Sequence, residues 1–520
     1  MDASWPAFRA QCNSPLPTLL RSLYHSRRKH RERYRRRSRE IQQHRRQLKQ
    51  ANDDKKRLQA ECCSLRAKVV QLQQQLAQAN LNQSRVVLPI DPPVSGQQFG
   101  ARTIQLSVNL ATRIGIRRAV TALRHFFQWL GTKVRLPSKD TIRTWMQRLG
   151  VARIDTIGKL KDHVWLVDET VQIGKEKVLA VLAVDPKKFN RSEKPLSQKD
   201  VRVLAFRPAT SWTTENVAVL YEELAKRHGM PRAIITDGAK NLREAISTLK
   251  SGKNRPLALR DLKHLLANAL EAEVAPSTAF RNYTERIHQT ISAVQQTEMA
   301  HFAPPSFNRK SRFMNLQKHL KWFEMIQWQV GHPQSNARRN VTTERMQEKL
   351  GWVCEYKCEV KRWKRCQEVI SACLQFSNRH GIYRGASADL RAAVQSLATD
   401  SSSRKILTQA VNYIREHEKT LGEQERLPLS TEILESSFGS YKRIEGHQSR
   451  GGFTTLLPVF STLLKPTTPG EIVKAFGRVK VKDVQSWLQT NIPSTLTSRK
   501  QMAFSEARRK KRATPCLSTA

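Results

Sequence analysis

The sequence predicts an α/β fold with a sheet in the middle of the chain and long helical regions around and within it. Two short runs, VWLV at 164–167 and AIIT at 233–236, are rich in β-branched residues and too brief for helices, which is typical of buried strands. Between about residues 276 and 424 such runs give way to long helical patterns. A helical pattern without Pro or Gly covers residues 20–82. We therefore expect an N-terminal coiled coil and an α/β core that contains a large all-α insertion.

The first domain, residues 1–85, combines a basic helix with a heptad repeat. Its first half contains the block HSRRKHRERYRRRSRE. Its second half repeats two seam positions every seven residues, which predicts a coiled coil and hence a homodimer or higher homo-oligomer. A solvated charged helix or a disordered arm is the alternative. The seam residues are Ile41, Leu48, Lys55, Cys62, Val69 and Leu76 at one position, and Ala51, Leu58, Leu65, Leu72 and Ala79 at the other.

A linker follows at residues 86–101, because VVLPIDPPVSGQQFG carries three Pro and two Gly and such composition marks a boundary. The next domain, 102–155, should contain three helices that are broken at Gly115 and around residues 131–137. Ser138 is a suitable cap for the third helix.

This domain is similar to a helix-turn-helix, whose second helix enters the major groove of DNA. In the third predicted helix, SKDTIRTWMQRLG, we expect Arg143, Trp145 and Arg148 to contact DNA. A plain helical hairpin that packs on the α/β core is the alternative.

The α/β core is expected in two parts, residues 156–275 and 425–465, separated by the insertion at 276–424. In the first part three strands are followed by a helix, a strand, a helix and a strand. The strand runs are HVWLVD, KVLAVLAVD, VRVLAFRP, RAIITD and a short run near 256–259. Residues 466–520 should form a helical C-terminal region with a basic tail.

Three acidic residues end or open apolar runs in this core: Asp168, Asp237 and Glu435. The two aspartates follow short strands, and the rim of a sheet is where open α/β folds place their chemistry. The glutamate lies on a segment of helical pattern. Carboxylates from two strands and a helix can bind two divalent cations, which activate a water and stabilise the leaving oxygen of a phosphodiester. Oxygen ligands suit Mg²⁺ or Mn²⁺, so we predict a two-ion site at these three residues.

Each acid also has a purely structural interpretation. Asp before Gly, as at Asp237, is common in turns. Glu432 and Glu435 are both candidates for first-turn acids that the helix dipole favours. Glu432 also remains the alternative third acid of the site.

Around these acids the chain resembles the DDE transposases of bacterial insertion sequences. The resemblance runs from about Trp165 to Phe453 and rests on VDET, TDGAKNL, DLKH and LESSFGSYK. The first two blocks match those around the two catalytic aspartates, DLKH is similar to a D-x-x-H element of Mutator-like relatives, and Lys442 follows Glu435 by seven positions. Tyr and Arg often stand upstream of the Glu in such enzymes, whereas this chain has Pro428 and Thr431 there.

The resemblance implies an RNase H-like catalytic domain, with a mixed sheet whose first three strands are antiparallel and with a large helical insertion. It also implies roles for particular residues. Asp168, Asp237 and Glu435 would be catalytic metal ligands. Lys442 would hold a phosphate as a point charge, and His264 would support a catalytic Asp or touch the leaving group. A buried helix histidine is the alternative for His264. The basic residues near the scissile phosphate would be Lys442, Arg443 and Arg450.

Composition points to a polyanionic partner. The chain has 91 Lys and Arg against 44 Asp and Glu, a formal net charge of +47, and nucleic acid is the usual partner of such a field. No stretch approaches the length of an apolar membrane span. The start of the chain lacks an apolar signal core, and eight Cys without a dense framework fit a reducing compartment. We therefore expect a cytoplasmic, nucleoid-associated protein that binds double-stranded DNA.

The sequence thus predicts a DNA transposase that cuts and joins strands at the ends of a mobile element. Two alternatives remain. One is a dimeric DNA-binding regulatory protein derived from a transposase, and the other is an RNase H-like nuclease without strand transfer.

Overall fold

The computed structural model describes residues 16–81, 91–132, 134–173, 176–187, 189, 194–249, 255–306, 313, 316–332, 341–446, 453–492 and 496–513. The chain divides into two units, Met1–Ile90 and Asp91–Ala520. The described part of the first unit is a single exposed helix, and the second unit contains the sheet and the buried cores.

The helix of the first unit, α1, runs over Leu16–Leu81. At 1.5 Å per residue, its 66 residues span about 100 Å. Every side chain of α1 whose burial is described is exposed. The seam residues Leu58, Leu65 and Leu72 are more than half exposed. The predicted uninterrupted helix is therefore present with its apolar seam in solvent, and pairing through that seam stays a prediction.

The second unit is built around a five-stranded mixed sheet of order β3-β2-β1-β4-β5. The strands are β1 (Val164–Ile173), β2 (Glu176–Val184), β3 (Val201–Ala209), β4 (Ala233–Thr236) and β5 (Leu257–Arg260). β2 pairs antiparallel with both β1 and β3, and β4 pairs parallel with both β1 and β5. All five predicted strands are present, and the first three are antiparallel as expected.

Helices cover both faces of the sheet because residues along a strand alternate between faces. Trp165 and Val167 of β1 pack in the core that contains α5 (Thr214–His228) and α6 (Lys240–Thr248). Val164 and Leu166 pack in the core on the other face, which contains α7 (Leu262–Val274) and α14 (Glu432–Gly446). The candidate functional site lies on this second face.

The insertion between β5 and α14 is mainly helical. Its helices are α8 (Thr278–Val294), α9 (Leu316–Gly331), α10 (Thr343–Leu350), α11 (Lys357–His380), α12 (Ala386–Val394) and α13 (Ser401–Glu418). Buried residues of these helices belong to the same core as α7 and α14, so the insertion packs with the sheet domain. The prediction of an all-α insertion was wrong at one point. The two-residue strand β6 (Ile382–Tyr383) pairs antiparallel with β7 (Arg426–Leu427), just before α14.

Three helices precede the sheet: α2 (Ala101–Ile114), α3 (Ile116–Trp129) and α4 (Lys139–Asp155). The predicted breaks and cap are present. Gly115 separates α2 from α3 at a φ of +89°, a conformation that favours glycine. Ser138 caps α4 by accepting a hydrogen bond from the Thr141 amide at 3.1 Å.

The third helix of this group, α4, lies in a core with the C-terminal region. Trp145 and Leu149 pack with Leu456 and Phe476 there. The C-terminal helices are α15 (Phe460–Leu464), α16 (Pro469–Arg478), α17 (Val481–Asn491) and α18 (Leu496–Ala513).

This packing corrects the prediction that Trp145 and Arg148 contact DNA. Trp145 is 1% exposed and Arg148 is 4% exposed. Trp145 Nε1 donates to Gln97 Oε1 at 2.8 Å. Arg148 donates to the backbone carbonyls of Val479 at 2.8 Å and Phe476 at 2.9 Å, and its guanidinium lies 4.0 Å from the Phe476 ring centroid. Both side chains therefore have structural roles. The face of α4 that a helix-turn-helix would present to DNA is packed against the C-terminal region instead.

Among the helices that the structure describes, none combines the length and the apolar character needed to cross a membrane.

Candidate functional site

Asp168 lies within β1 and not at its end, because the strand continues to Ile173. The prediction that the strand ends at this residue was therefore wrong. The parallel pairing of β1 with β4 stops at Leu166 opposite Ile235. Two residues further along each chain are Asp168 and Asp237. Since paired strands lie about 4.8 Å apart, the register brings the two aspartates to neighbouring positions.

Asp237 stands in a tight turn between β4 and α6. Its Oδ1 accepts a hydrogen bond from the Ala239 amide at 2.8 Å. Gly238 has a φ of +93°, and a Cβ there would lie 2.5 Å from the Arg260 Nε. The positive φ therefore favours glycine at this position, and a larger residue would also displace the Arg260 side chain. The turn interpretation of the TDG sequence is thus correct, and the turn also holds the carboxylate of Asp237 beside β1.

The two glutamates at the start of α14 have different neighbours. Glu435 Oε2 lies 2.6 Å from Lys263 Nζ, in a partly buried ion pair with α7. Glu432 Oε2 accepts a hydrogen bond from Asn378 Nδ2 of α11 at 2.8 Å. The charge of Glu435 acts on Asp168 and raises its pKa. Of the two, Glu435 is thus the one whose charge acts on Asp168, whereas Glu432 contacts the insertion.

Asp168 has a strongly shifted pKa. Asp168 is 4% exposed, and its pKa is raised from 3.8 to about 7, with burial as the largest cause. The negative charges of Asp237 and, to a smaller extent, Glu435 contribute to this rise, while His264 partly opposes it. Burial and like charges both disfavour a carboxylate. Asp168, Asp237, Glu435 and His264 are therefore near enough to affect one another, although they come from β1, the β4–α6 turn, α14 and α7.

Asp261 joins two of these elements. It is fully buried and caps α7 by accepting from the His264 amide at 3.1 Å. Its Oδ2 also accepts from the amide of Thr431 at 2.5 Å and from the Thr431 hydroxyl at 2.6 Å. Burial alone would raise the pKa of Asp261, but these hydrogen bonds and the His264 side chain hold it below its usual value. The carboxylate thereby ties α7 to the residue that precedes α14.

His264 carries its ring beside the same carboxylate. Its Nδ1 lies 3.5 Å from Asp261 Oδ1. Burial would lower the pKa of His264, yet Asp261 outweighs that effect, and Asp168 and Asp237 act in the same direction. The pKa is raised, so the ring keeps its proton to a higher pH than a free histidine does.

The site has the donor chemistry of a divalent-cation site without a ready-made coordination sphere. In the part of the chain that the structure describes, no three His, Cys, Asp or Glu side chains are grouped closely enough to hold a metal ion. The predicted convergence of the three acids within metal-bridging distance is thus not met. The acids do fit such ions in another respect. Burial first, and then the like charges of Asp237 and Glu435, disfavour the ionised form of Asp168, and a bound cation would offset both effects. Oxygen donors of this kind suit Mg²⁺ or Mn²⁺.

The predicted basic residues lie in three kinds of place. Lys442 and Arg443 are exposed on α14. Lys442 is two helical turns from Glu435 and on nearly the same side of the helix, about 10.5 Å along its axis. Arg143 of α4 is partly exposed and lies 3.1 Å from Asp140 in an ion pair. Arg450 lies outside the described residues.

Two residues beside the candidate site were missed in the sequence. Lys263 contacts Glu435 across 172 positions, and no local pattern reports such a contact. Thr431 was noted only as a departure from the transposase pattern, whereas it is the partner of Asp261. The DLKH block contained Lys263 and was the one available signal.

Comparisons with known proteins add little to this geometry. No family model and no curated protein matches the chain. Among solved structures, a chain of the Drosophila P element transposase strand transfer complex is similar over 76% of this chain and 94% of that chain, with 12% sequence identity and a TM-score of 0.34. A TM-score this low supports no argument about fold or activity.

Proposed function

We propose that this chain is a DDE-type DNA transposase with an RNase H-like catalytic domain, which cleaves DNA strands at the ends of a mobile element and joins them to target DNA. One observation carries the proposal. Two acids distant in sequence, Asp237 and Glu435, act on the buried carboxylate of Asp168, whose pKa is raised to about 7. Strongly shifted carboxylates of this kind concentrate at functional sites. The resemblance of the VDET, TDGAKNL and LESSFGSYK blocks to DDE transposases gives the reaction class.

Asp168, Asp237 and Glu435 would hold two Mg²⁺ or Mn²⁺ ions. Such ions supply Lewis acidity, which activates an attacking hydroxyl and stabilises the leaving 3′ oxygen. For Glu435 to take part, its carboxylate must leave the Lys263 ammonium, which now neutralises it at 2.6 Å. The Lys263 ammonium therefore occupies the place beside Glu435 that a divalent cation would take.

The remaining residues would bind the substrate phosphates and donate a proton. Lys442 would bind a backbone phosphate, because an exposed ammonium on the same side of α14 as Glu435 can reach a phosphate near the acids. Arg443 would add a second phosphate contact. His264, kept protonated by Asp261 through Nδ1, would leave Nε2 to donate a proton to the departing oxygen.

The test is a cleavage and strand-transfer assay on duplex DNA taken from the flanks of the gene, with Mg²⁺ or Mn²⁺. Asp168→Asn, Asp237→Asn and Glu435→Gln should each lower activity by about 10³-fold or more, because each removes a charge that the reaction needs. Glu432→Gln is the matched control on the same helix and should keep most activity. Mn²⁺ binding measured by electron paramagnetic resonance should weaken in the first three variants and not in the control.

Activity that survives in both aspartate variants would refute the assignment of the site. Cleavage without joining would favour an RNase H-like nuclease. A third outcome, duplex binding with neither reaction and no Mn²⁺ binding, would favour a dimeric DNA-binding regulatory protein. The ion pair between Lys263 and Glu435 is the observation that favours the regulatory protein, because it neutralises one of the three acids.

A further inference from the structure

One face of α3 is exposed, cationic and without acidic neighbours in sequence. From Pro92 to Lys139 the chain has eight Lys and Arg and no Asp or Glu. Three of these cations, Arg117, Arg118 and Arg124, are exposed on α3. No ion pair is found for them among the described residues. Trp129, on the same helix, is 80% exposed.

The opposite side of α3 is apolar and buried, and it holds the helix in the domain. Ile116, Ala119 and Leu123 are buried at 5%, 0% and 1% exposure. Their spacing of three and four residues places them on one stripe, which packs against α2 and α4. The exposed side chains therefore project from a rigid element whose fold does not depend on them.

The exposed face has an ordered arrangement when positions are set at 100° per residue. Arg117 and Arg124 lie along one edge, and Arg118 and Trp129 lie along the other. Thr121, His125 and Gln128 occupy the strip between these edges, and all three are exposed. Cationic edges on both sides of a strip of neutral hydrogen-bonding side chains match a DNA groove, whose floor presents base edges between two rows of phosphates.

We propose that this face of α3 binds the major groove of duplex DNA. Arg117, Arg118 and Arg124 contact phosphates, and Thr121, His125 and Gln128 face base edges. An α-helix fits the major groove, and the 14 residues of α3 span about 21 Å. The inference deepens the proposed function, since it takes duplex DNA as the substrate. It moves the DNA-contacting helix from α4, whose Trp145 and Arg148 are buried, to α3.

The first experiment measures binding of the full chain to a random-sequence 30-base-pair duplex as a function of salt. The combined change Arg117→Ala, Arg118→Ala and Arg124→Ala should weaken binding at least about tenfold near 150 mM salt and lower the slope of log K against log salt by about 2.7, since each lost phosphate contact contributes about 0.9. The control combines Arg391→Ala, Arg415→Ala and Lys419→Ala, three exposed cations of the insertion. It removes the same charge and should leave the slope within about 0.5 of the wild-type value.

The second experiment is independent of the basic block on α1. A photoreactive benzoylphenylalanine replaces Gln128 on α3 or, as control, Asn412 on α13, both exposed. Irradiation with the duplex should crosslink DNA at position 128 and not at position 412. Thermal melts followed by circular dichroism verify that the variants stay folded.

Two results would overturn the inference. One is a triple variant on α3 that binds DNA with the same slope as its control. The other is a photoprobe at position 128 that captures a second copy of the chain or another protein, and not DNA. If the photoprobe at position 128 crosslinks DNA while the wild type shows no metal-dependent cleavage, the proposed function fails and the groove-binding surface is supported.

Discussion

Asp168 illustrates how burial changes the acid–base behaviour of a carboxyl group. It shares a strand face with Val164 and Leu166, in the core that contains α7 and α14. Its carboxylate nevertheless faces Asp237, Glu435 and His264 closely enough for each to act on its pKa. Such an arrangement lowers the stability of the folded state, since an ionised carboxylate in this place is disfavoured. It persists in proteins where the charge has a use, which is the reason to assign chemistry to it.

A pH dependence follows from this pKa. The folded-state pKa of Asp168, about 7, is above its unfolded value of 3.8. Its contribution to stability is therefore full below pH 4 and is lost as the pH rises through 7. Asp168→Asn, which is neutral at every pH, should raise the free energy of unfolding of the metal-free protein. The increase over the wild type should be about 2–3 kcal/mol larger at pH 8.5 than at pH 5. Denaturant unfolding in EDTA at the two pH values measures this difference.

The control for that experiment is Asp53→Asn on the exposed helix α1, which should follow the wild type at both pH values. A stability difference between Asp168→Asn and the wild type that does not change with pH would contradict the assigned cause.

Arg148 shows the opposite case, a cation that is used for folding. It donates to two backbone carbonyls of the C-terminal region and stacks on Phe476. Burial lowers its pKa. Arg148→Ala should lower the free energy of unfolding by about 2–4 kcal/mol, because two buried carbonyls lose their donor. Denaturant titration measures this, with Arg143→Ala as a control that should change stability by less than about 0.5 kcal/mol.

The salt slope of DNA binding distinguishes this role from DNA contact. We expect the slope to be the same for Arg148→Ala and the wild type under conditions where both are folded. A lower slope for Arg148→Ala would show that the arginine contacts phosphate after all.

At the scale of elements, the link between α7 and α14 decides where Glu435 lies. Asp261 caps α7 and accepts two hydrogen bonds from Thr431, the residue just before α14. The Leu262 amide also donates to the Leu429 carbonyl at 3.1 Å. The chain segment that enters α14 is therefore fixed at the N-terminus of α7, and Lys263 on the first turn of α7 is placed beside Glu435.

This link predicts a graded response to substitution. Asp261→Asn should destabilise the protein by about 2–4 kcal/mol at pH 7, because one amide oxygen and an added NH₂ group cannot replace a buried carboxylate acceptor. Thr431→Val removes the hydroxyl and should cost less, about 1–2 kcal/mol. Chemical denaturation measures both, and Mn²⁺ affinity should fall in step if the link positions Glu435.

The sign of the pH effect at Asp261 is the reverse of that at Asp168. The folded-state pKa of Asp261 is lowered, so its stabilisation is present above its unfolded pKa of 3.8 and is lost as the pH falls through the folded value. The difference between the wild type and Asp261→Asn should shrink in acid. A difference that stays constant down to pH 3 would contradict this role.

At the scale of the whole molecule, charge and a long exposed helix dominate. A net charge of +47 disfavours association between copies except where apolar surface offsets it. The seam of α1 offers such surface, since Leu58, Leu65 and Leu72 are exposed and recur every seven residues. A helix of this kind has its stability raised by packing against a partner.

Oligomerisation through α1 can be tested by substitution within the heptad. Leu58→Glu with Leu65→Glu should convert the protein to a monomer in sedimentation velocity at 300 mM salt, because it buries charge in the seam. The control, Ala60→Glu with Ala67→Glu, introduces the same charge at outer heptad positions and should keep the wild-type assembly. A wild type that sediments as a monomer at every concentration would contradict the coiled coil.

Local pattern was sufficient to predict much of this protein. The five strands, the breaks at Gly115 and before Ser138, the cap of α4 and the continuous helix α1 each depend on neighbours along the chain. The two aspartates could be placed together in advance because each follows a strand run. Periodicity and turn chemistry report such features, since both act over a few residues.

Contacts between distant segments were decided by tertiary structure alone. The extension of β1 beyond Asp168, the burial of Trp145 and Arg148 against the C-terminal region, and the pairing of Glu435 with Lys263 all depend on what lies on the other side of a packed surface. The same holds for Glu432 and Glu435, two residues of one helix that look alike in sequence but contact different partners. An amphipathic pattern states that a face is buried or exposed, whereas the identity of its neighbour is set only when the whole chain has packed.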